Sequence, residues 1–491
     1  MTGLRASVIL GTAWAVALRW FIRLIGIANV AIVARILAPA DFGLLAMATL
    51  VIGLIEMWLA FGVDSALIQN ADADRDDFDT AWTIRFLQGV VIAAVVVASA
   101  PLAQAYFREP RLGPLLWALS LGVLVSGLTN IGVVQFTKDL EFGKDFRYRA
   151  ISKLISFAVG VGAALWMRNY WALAVGIVGG YIASCIVSYV VHPYRPRWSL
   201  KRWRKLWSFS QWMLLMNVLG YVAQKADEVL VGRYLSATQM GFYSVASDIG
   251  LMPSAELAAP VNRVLFPAFS RLQSEPGRLA AAYCNALAMV AAVTVPAGAG
   301  LALVAPQVVA LLLGAKWGPA VPMLQILAVG GIVRSLASSG SYLLMSIGHP
   351  RLSASTATAS LAIFGAGAAL ALAEGAGASG IAWAKLASGV FATIMTAGYV
   401  VHFTAVRLRD LLRSIARPVL AAAAMAGALT AMPQLSLPLA LGLAINIGVG
   451  AAVYALVLAA TWWLAGRPDG PEHTIVEFLK TRLARKRNRN R

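Results

Sequence analysis

The sequence predicts an all-α polytopic membrane protein with about fourteen transmembrane helices, and three observations carry that prediction. Hydrophobic residues make up 59% of the 491 and charged residues only 13%, about half the charged share of a soluble domain. The mean hydropathy is +0.73. The apolar residues are gathered into runs that reach the roughly 20 residues a helix needs to cross a bilayer, and the basic residues sort by side when those runs are taken as alternating spans.

In chain order the runs fall near 8–34, 42–68, 81–105, 112–137, 150–167, 171–191, 206–232, 240–266, 280–304, 319–346, 353–373, 378–403, 414–432 and 437–465. The runs at 150–167 and 414–432 are the shortest. Residues 306–317 are apolar but too short to cross, and are expected at the interface. The first run follows a single basic residue, Arg5, and is interrupted by Arg19. It lacks the compact apolar core and small-residue cleavage site of a signal peptide, and is read as a retained helix.

Charge tests this count. With the first residue placed inside and the spans alternating, 29 Lys and Arg fall inside, six outside (Arg35, Arg108, Arg111, Arg168, Arg233, Lys316) and six within spans (Arg19, Arg23, Arg85, Lys225, Arg334, Lys385). Cytoplasmic loops carry the excess of Lys and Arg, so both ends are expected in the cytoplasm. The acidic segment Asp72, Asp74, Asp76, Asp77 and Asp79 also falls inside. It is read as a solvated loop, since its spacing lacks the Gly and distal Glu of a calcium-binding EF-hand.

The basic linker His192–Lys205 (HPYRPRWSLKRWRK) interleaves aromatic rings with charge, and the tail ends in Arg482–Arg491 (RLARKRNRNR). Both are expected to touch anionic membrane lipids rather than nucleic acid. Two cysteines, Cys185 and Cys284, and four scattered histidines offer neither a disulfide framework nor a metal cluster. No nucleotide-binding or hydrolase motif is present, so neither a metal or other cofactor nor transport driven by ATP from this chain alone is expected.

The chemistry lies in the charges within the spans. Arg19 and Arg23 are four residues apart and share one helix face, with no acidic residue on that run before Asp41. An arginine near the middle of a membrane helix costs roughly 2.5–3.5 kcal/mol and usually faces a bundle interior or wet cavity. Arg19, Arg23, Arg85, Lys225 and Arg334 are therefore candidates for holding an anionic group, which the arginine fork does in bidentate fashion. Glu56, Asp227, Glu228 and Asp248 are candidates for binding a coupling proton or cation. Mutual neutralisation that merely holds the bundle together is the alternative, most plainly for Lys225 and Glu228, three residues apart.

An internal repeat underlies the pattern. Arg35–Gly43 (RILAPADFG) aligns with Arg233–Gly241 (RYLSATQMG), matching Arg, Leu and Gly at an offset of 198. Each segment joins a charged helix to a long apolar one, as expected of transporter repeats.

Four stretches together resemble the polysaccharide transporters of the multidrug/oligosaccharidyl-lipid/polysaccharide (MOP) superfamily. They are ARILAPADFGLLAMATLVIGLIEMWLAFGVDSALIQ (Ala34–Gln69), QFTKDLEFGKDFRYRAISKL (Gln135–Leu154), GRYLSATQMGFYSVASDIGLMPSAELAAPVNRVLFPAFSRLQ (Gly232–Gln273) and LLLGAKWGPAVPMLQILAVGG (Leu311–Gly331). The likeness covers about 8–405. It implies two pseudo-symmetric six-helix lobes around a central cavity that opens alternately to each side: an N-lobe at 1–193, a basic linker at 194–205, a C-lobe at 206–405, two additional helices at 406–466 and a tail at 467–491. It also implies the activity, the flipping of an undecaprenyl-diphosphate-linked oligosaccharide across a bacterial inner membrane, with a polysaccharide polymerase and export machinery as further partners. The rivals are a cation-coupled exporter of small molecules from the same superfamily and a membrane glycan polymerase or ligase. The polymerase is disfavoured because the longest loops, about a dozen residues, leave no room for a catalytic domain.

Overall fold

The computed structural model describes residues 2–59, 63–70, 72–203, 211–432 and 437–466. Within them all regular structure is helical, as a lipid-embedded chain requires, because helices satisfy every backbone N–H and C=O within the segment. The helices are α1 (Thr2–Ile36), α2 (Pro39–Leu59), α3 (Val63–Gln69), α4 (Arg75–Phe107), α5 (Leu112–Gly127), α6 (Val134–Lys138), α7 (Phe142–Met167), α8 (Trp171–Val191), α9 (Gln211–Tyr234), α10 (Ala237–Leu272), α11 (Pro276–Leu312), α12 (Val321–Ser346), α13 (Pro350–Ala373), α14 (Gly377–Phe403), α15 (Leu408–Ala431) and α16 (Leu439–Leu464). The basic tail lies outside the described residues, as do the first residues of the run at 206–232.

Among the described residues, eleven helices are long and apolar enough to cross a membrane, and twelve when the bent pair Leu112–Gly127 and Ile131–Lys138 counts as one span. The chain is thus a multi-pass membrane protein. The bend is 65°, and Asn130 makes it: its side chain accepts from Gly132 N and donates to the carbonyls of His192 and Tyr194. The two other expected runs are helical, as α9 and α10, but carry Lys225, Asp227, Glu228, Asp248 and Glu256 within them. Residues 306–312 are the last part of a longer helix rather than an element of their own. Helix α11 continues unbroken through Pro296 and Pro306 to Leu312, and only then does a 3-10 turn, Ala315–Ala320, begin.

The chain divides into two compact units, Met1–Gly241 and Phe242–Arg491. In the first, helices cross at small residues, which let backbones approach closely in lipid. A Cβ added at Gly127 would lie 3.2 Å from the Arg85 carbonyl, setting α4 on α5, and one at Gly176 would lie 2.9 Å from Gly160 Cα, setting α8 on α7. Helix α9 packs on α2 at Gly53, where the Tyr221 hydroxyl donates to the Leu50 carbonyl at 3.2 Å. In the second unit Gly250 meets Ala328 and Gly298 meets Ile332. Ala291, Val295, Ala421, Met425 and Tyr454 form a buried core that ties α15 and α16 to α11.

The acidic segment and the basic linker meet, which corrects the reading of the former as a solvated loop. Asp77 and Asp79 are 2% and 4% exposed. Asp74 and Asp77 cap α4 reciprocally, each carboxylate accepting from the other's backbone N–H, which satisfies two donors at the helix end. The linker, held extended by Pro193 and Pro196, lies as a strap across the first two turns of α4. The Arg197 and Ser199 amides donate to Asp79 and Thr83 at 2.9 and 3.1 Å, and the Tyr194 hydroxyl donates to Asp79. Lys201 pairs with Asp76 and Arg202 with Asp74. Trp198 packs edge-on against Trp82 and Phe86. Burial and the Asp79 carboxylate raise the Tyr194 pKa, keeping it a neutral donor. Strap and acidic segment therefore share one side of the molecule, as the alternation of spans requires.

Candidate functional site

The first unit gathers most of the charges predicted to carry function. Arg85 lies on α4 beside the Gly127 crossing. Its guanidinium is 3.5 Å from Asp64 on α3, the two side chains being 29% and 53% exposed. Tyr148 on α7 and Cys185 on α8 both lie within its electrostatic reach. The Tyr148 hydroxyl shares a 2.8 Å hydrogen bond with Ser184, so α4, α7 and α8 bring Arg85 into a polar neighbourhood inside the bundle.

A second group forms where α9 meets α2. Lys225 Nζ is 2.5 Å from Glu228 Oε1, one turn along the same helix. Asp227 and Glu228 are 2% and 5% exposed. Tyr221, one turn before Lys225, lies in the field of both Glu228 and Glu56 of α2, and Glu56 also acts on Tyr181 of α8. Removing one partner of a buried ion pair costs about 3–5 kcal/mol because the other charge is left uncompensated. Lys225 and Glu228 are therefore bound to each other structurally whatever else they do.

Arg19 and Arg23 stand apart from both groups. Helix α1 packs on α7 through Trp14 and Phe21 against Phe146, and both arginines are partly buried. The Arg23 Nε is fully buried with no hydrogen-bond partner among the described residues. An unmade hydrogen bond at a buried donor costs about 1–3 kcal/mol.

The remaining candidates lie in the second unit. Arg334, near the middle of α12, and Asp248 on α10 are exposed there. Around Arg334 the polar groups are hydroxyls and an amide: Ser338 and Ser341 follow at one and two turns, and Asn262 of α10 donates to Ser338 at 3.0 Å.

Sequence reasoning missed Tyr148, Tyr181 and Tyr221, which line the charged interior. Their signal was available as polar-tipped rings in mid-span, where a hydroxyl must find a partner. The pairing of Arg85 with Asp64 had no sequence signal, because the two sit on different helices.

Residues 32–322 match the family described as polysaccharide biosynthesis protein. The chain is 27% identical to the lipopolysaccharide biosynthesis protein WzxC of Escherichia coli (strain K12), over 70% of each chain. It is 24% identical to the teichuronic acid biosynthesis protein TuaB of Bacillus subtilis (strain 168), over 75% of this chain and 77% of that one. It is 26% identical to the succinoglycan biosynthesis transport protein ExoT of Rhizobium meliloti (strain 1021), over 64% of each. Among solved structures, the lipid II flippase MurJ in an inward closed conformation matches with a TM-score of 0.72 at 15% identity, over 94% of this chain and all of that one. An inward-facing multidrug resistance MATE family transporter of the MOP superfamily matches with a TM-score of 0.58 at 14% identity, over 81% and 95%. At such identities the likeness establishes the fold, which is that of the MurJ and MATE transporters.

Proposed function

Because the chain belongs to the polysaccharide biosynthesis protein family, we propose that it is a flippase, not an enzyme, that carries an undecaprenyl-diphosphate-linked oligosaccharide across a bacterial inner membrane by alternating access. Both termini lie in the cytoplasm on this reading, in keeping with the 29 basic residues on that side against six outside. The observation that supports the mechanism is the Arg23 Nε, buried in a lipid-length helix with its N–H unmet, on a side chain that is otherwise partly exposed. Arg19 and Arg23 grip the diphosphate, since a planar fork matches paired phosphate oxygens. Arg85, Lys225 and Arg334 follow the anionic part of the cargo through its passage. The hydroxyls and amide beside Arg334 suit sugar hydroxyls. Glu56, Asp227, Glu228 and Asp248 bind the proton or cation that resets the transporter.

The basic strap and tail hold anionic lipid headgroups. The strap supports this in part: Lys201 is paired yet 72% exposed at its side chain, and Trp198 and Trp203 present much of their surface outward. A polysaccharide polymerase and the export machinery take the cargo onward.

Replacing both Arg19 and Arg23 by alanine is expected to abolish polysaccharide export while protein stays at its wild-type level in the membrane. Full export by that double variant would refute their role. The buried carboxylates Asp227 and Glu228 favour a second reading, a cation-coupled exporter of small molecules. Drug susceptibility of a strain lacking the protein separates the two, since only an exporter of drugs protects its host.

A further inference from the structure

The first turns of α15 carry charge that the second unit leaves unanswered. Arg407, Arg409 and Arg413 are exposed, and among the described residues none of their side chains makes an ion pair or a hydrogen bond. The strap in the first unit differs: there Lys201 and Arg202 are taken up by Asp76 and Asp74. On α15, Leu411 enters the buried core with Phe269, Leu343 and Val400. At 3.6 residues per turn, Arg409 and Arg413 come out on the side opposite Leu411 and one turn apart, so they share a face. Asp410, the acidic residue of these turns, lies on another side, where its charge acts on Cys284 of α11.

Beyond the arginines the outward side of the helix is apolar. Leu412, Val419 and Leu420 are each about half exposed, so they face out of the unit. The apolar part of this span is short. It runs over Pro418–Ala431, about 21 Å of helix, against a hydrocarbon core of about 30 Å. A span shorter than the core thins the bilayer or draws its flanking residues inward. The turns bearing Arg409 and Arg413 therefore lie at the level of the lipid phosphates, where a long basic side chain escapes the cost of hydrocarbon.

We propose that the start of α15 is a binding site for an anionic phospholipid of the surrounding bilayer. Arg409 and Arg413 hold its phosphate through their planar forks, Arg407 adds charge at the edge, and an acyl chain lies along Leu412, Val419 and Leu420. A free phosphate gains nothing from that apolar lane, and a choline headgroup brings a cation against three unpaired guanidinium groups. The side chains open outward, so a lipid of the bulk membrane meets them directly. The site needs only that α15 crosses the membrane, and stands independently of the transport reading.

Two measurements on the full chain test it. In the first, the purified protein in detergent is titrated with phosphatidylglycerol or with phosphatidylcholine of the same chains, and retained lipids are counted by native mass spectrometry. One phosphatidylglycerol should be kept in preference to phosphatidylcholine. Arg409→Gln combined with Arg413→Gln should weaken its retention about thirtyfold. Leu412→Ser combined with Leu420→Ser should weaken it with every charge in place. Arg271→Gln, which removes an exposed charge from the end of α10, should leave it unchanged. Equal retention of the two lipids, or a double arginine variant that keeps phosphatidylglycerol as the parent does, overturns the site. Displacement by an excess of inorganic phosphate would make it a site for a free anion, and preferential displacement by undecaprenyl phosphate a site for a polyprenyl carrier; either result ends the phospholipid assignment. The second measurement needs no variant. In vesicles, phosphatidylglycerol with a photoreactive acyl chain should label the unaltered protein within residues 412–420, and labelling of α15 no heavier than that of α16 would sink the proposal.

Discussion

The two ends of α4 are secured by opposite means. At its first turns the helix is held by charge and hydrogen bonding: Asp74, Asp76 and Asp79 receive the strap's side chains and amides, and Thr80 and Thr83 take the rest. At its last turn Phe107 lies against Gly232, near the place where a Cβ on Gly43 would meet the Ala237 carbonyl and one on Gly241 the Pro39 carbonyl, each at 1.8 Å. A polar clamp is directional and tolerates water, so it can hold an extended strand at a membrane surface. A glycine crossing depends on shape alone, so it excludes water completely or not at all. The strap end is thus held by directional polar contacts and the crossing end by close backbone packing.

The largest effect is expected at the crossing. Gly43→Ala combined with Gly241→Ala places two Cβ atoms against main-chain oxygens that have no rotamer by which to escape. Overpacking of this kind costs about 1–3 kcal/mol. The thermal midpoint of the purified protein should fall further than for any strap variant. A fall no larger than that of Gly220→Ala, which meets nothing within 4 Å, would erase the distinction between the two ends.

Next comes Asp79→Ala. It leaves the Tyr194 hydroxyl and the Arg197 amide without their acceptor, at about 1–3 kcal/mol for a buried orphan. The strap carries tryptic sites at Arg195, Arg197, Lys201 and Arg202, so cleavage there should accelerate markedly. Cleavage no faster than in the parent would show that Asp79 does not hold the strap.

Acid should loosen the strap more gently. Burial, reinforced by Lys144, holds the His192 pKa below its ordinary 6.5, and its Nδ1 accepts from the Tyr194 amide at 3.2 Å. A group whose folded pKa is depressed contributes fully above its unfolded value and loses that contribution as pH falls through the folded one. Strap protection from trypsin should therefore be complete above about pH 6.5 and decline below it. Asp74, lowered chiefly by the Asp77 amide and further by Arg202, fails only in stronger acid, below its ordinary 3.8. His192→Asn should remove the upper step; an unchanged profile would clear His192 of any part.

The smallest effect is expected from Arg202→Ala. Its partner Asp74 and its own side chain are each about half exposed, and such pairs contribute little and fade with salt. Trypsin sensitivity at Lys201 should rise slightly in low salt and not at all in high salt. A large change would mean that the strap hangs on this pair rather than on Asp79.

Composition and hydropathy by themselves determined that the chain is a bundle of membrane-crossing helices, since a run of about 20 apolar residues has one stable arrangement in lipid. The offset of 198 between two charged-helix turns was legible as well, because a repeat is a property of residue order. So was the presence of costly charge at Arg19, Arg23, Arg85, Lys225 and Arg334. What those charges meet was not. Lys225 and Glu228 were foreseeable as a pair because a helix brings residues three apart onto one face. Arg85 with Asp64, and Asp79 with a strap 118 residues further on, are contacts between separate helices and segments that only packing selects. The tertiary structure alone turned the acidic segment from a solvated loop into the seat of the linker, and set Gly43 against Gly241. Periodicity and hydropathy act along the chain over a few turns, whereas the meeting of two distant backbones is decided by which small residues allow the whole bundle to close.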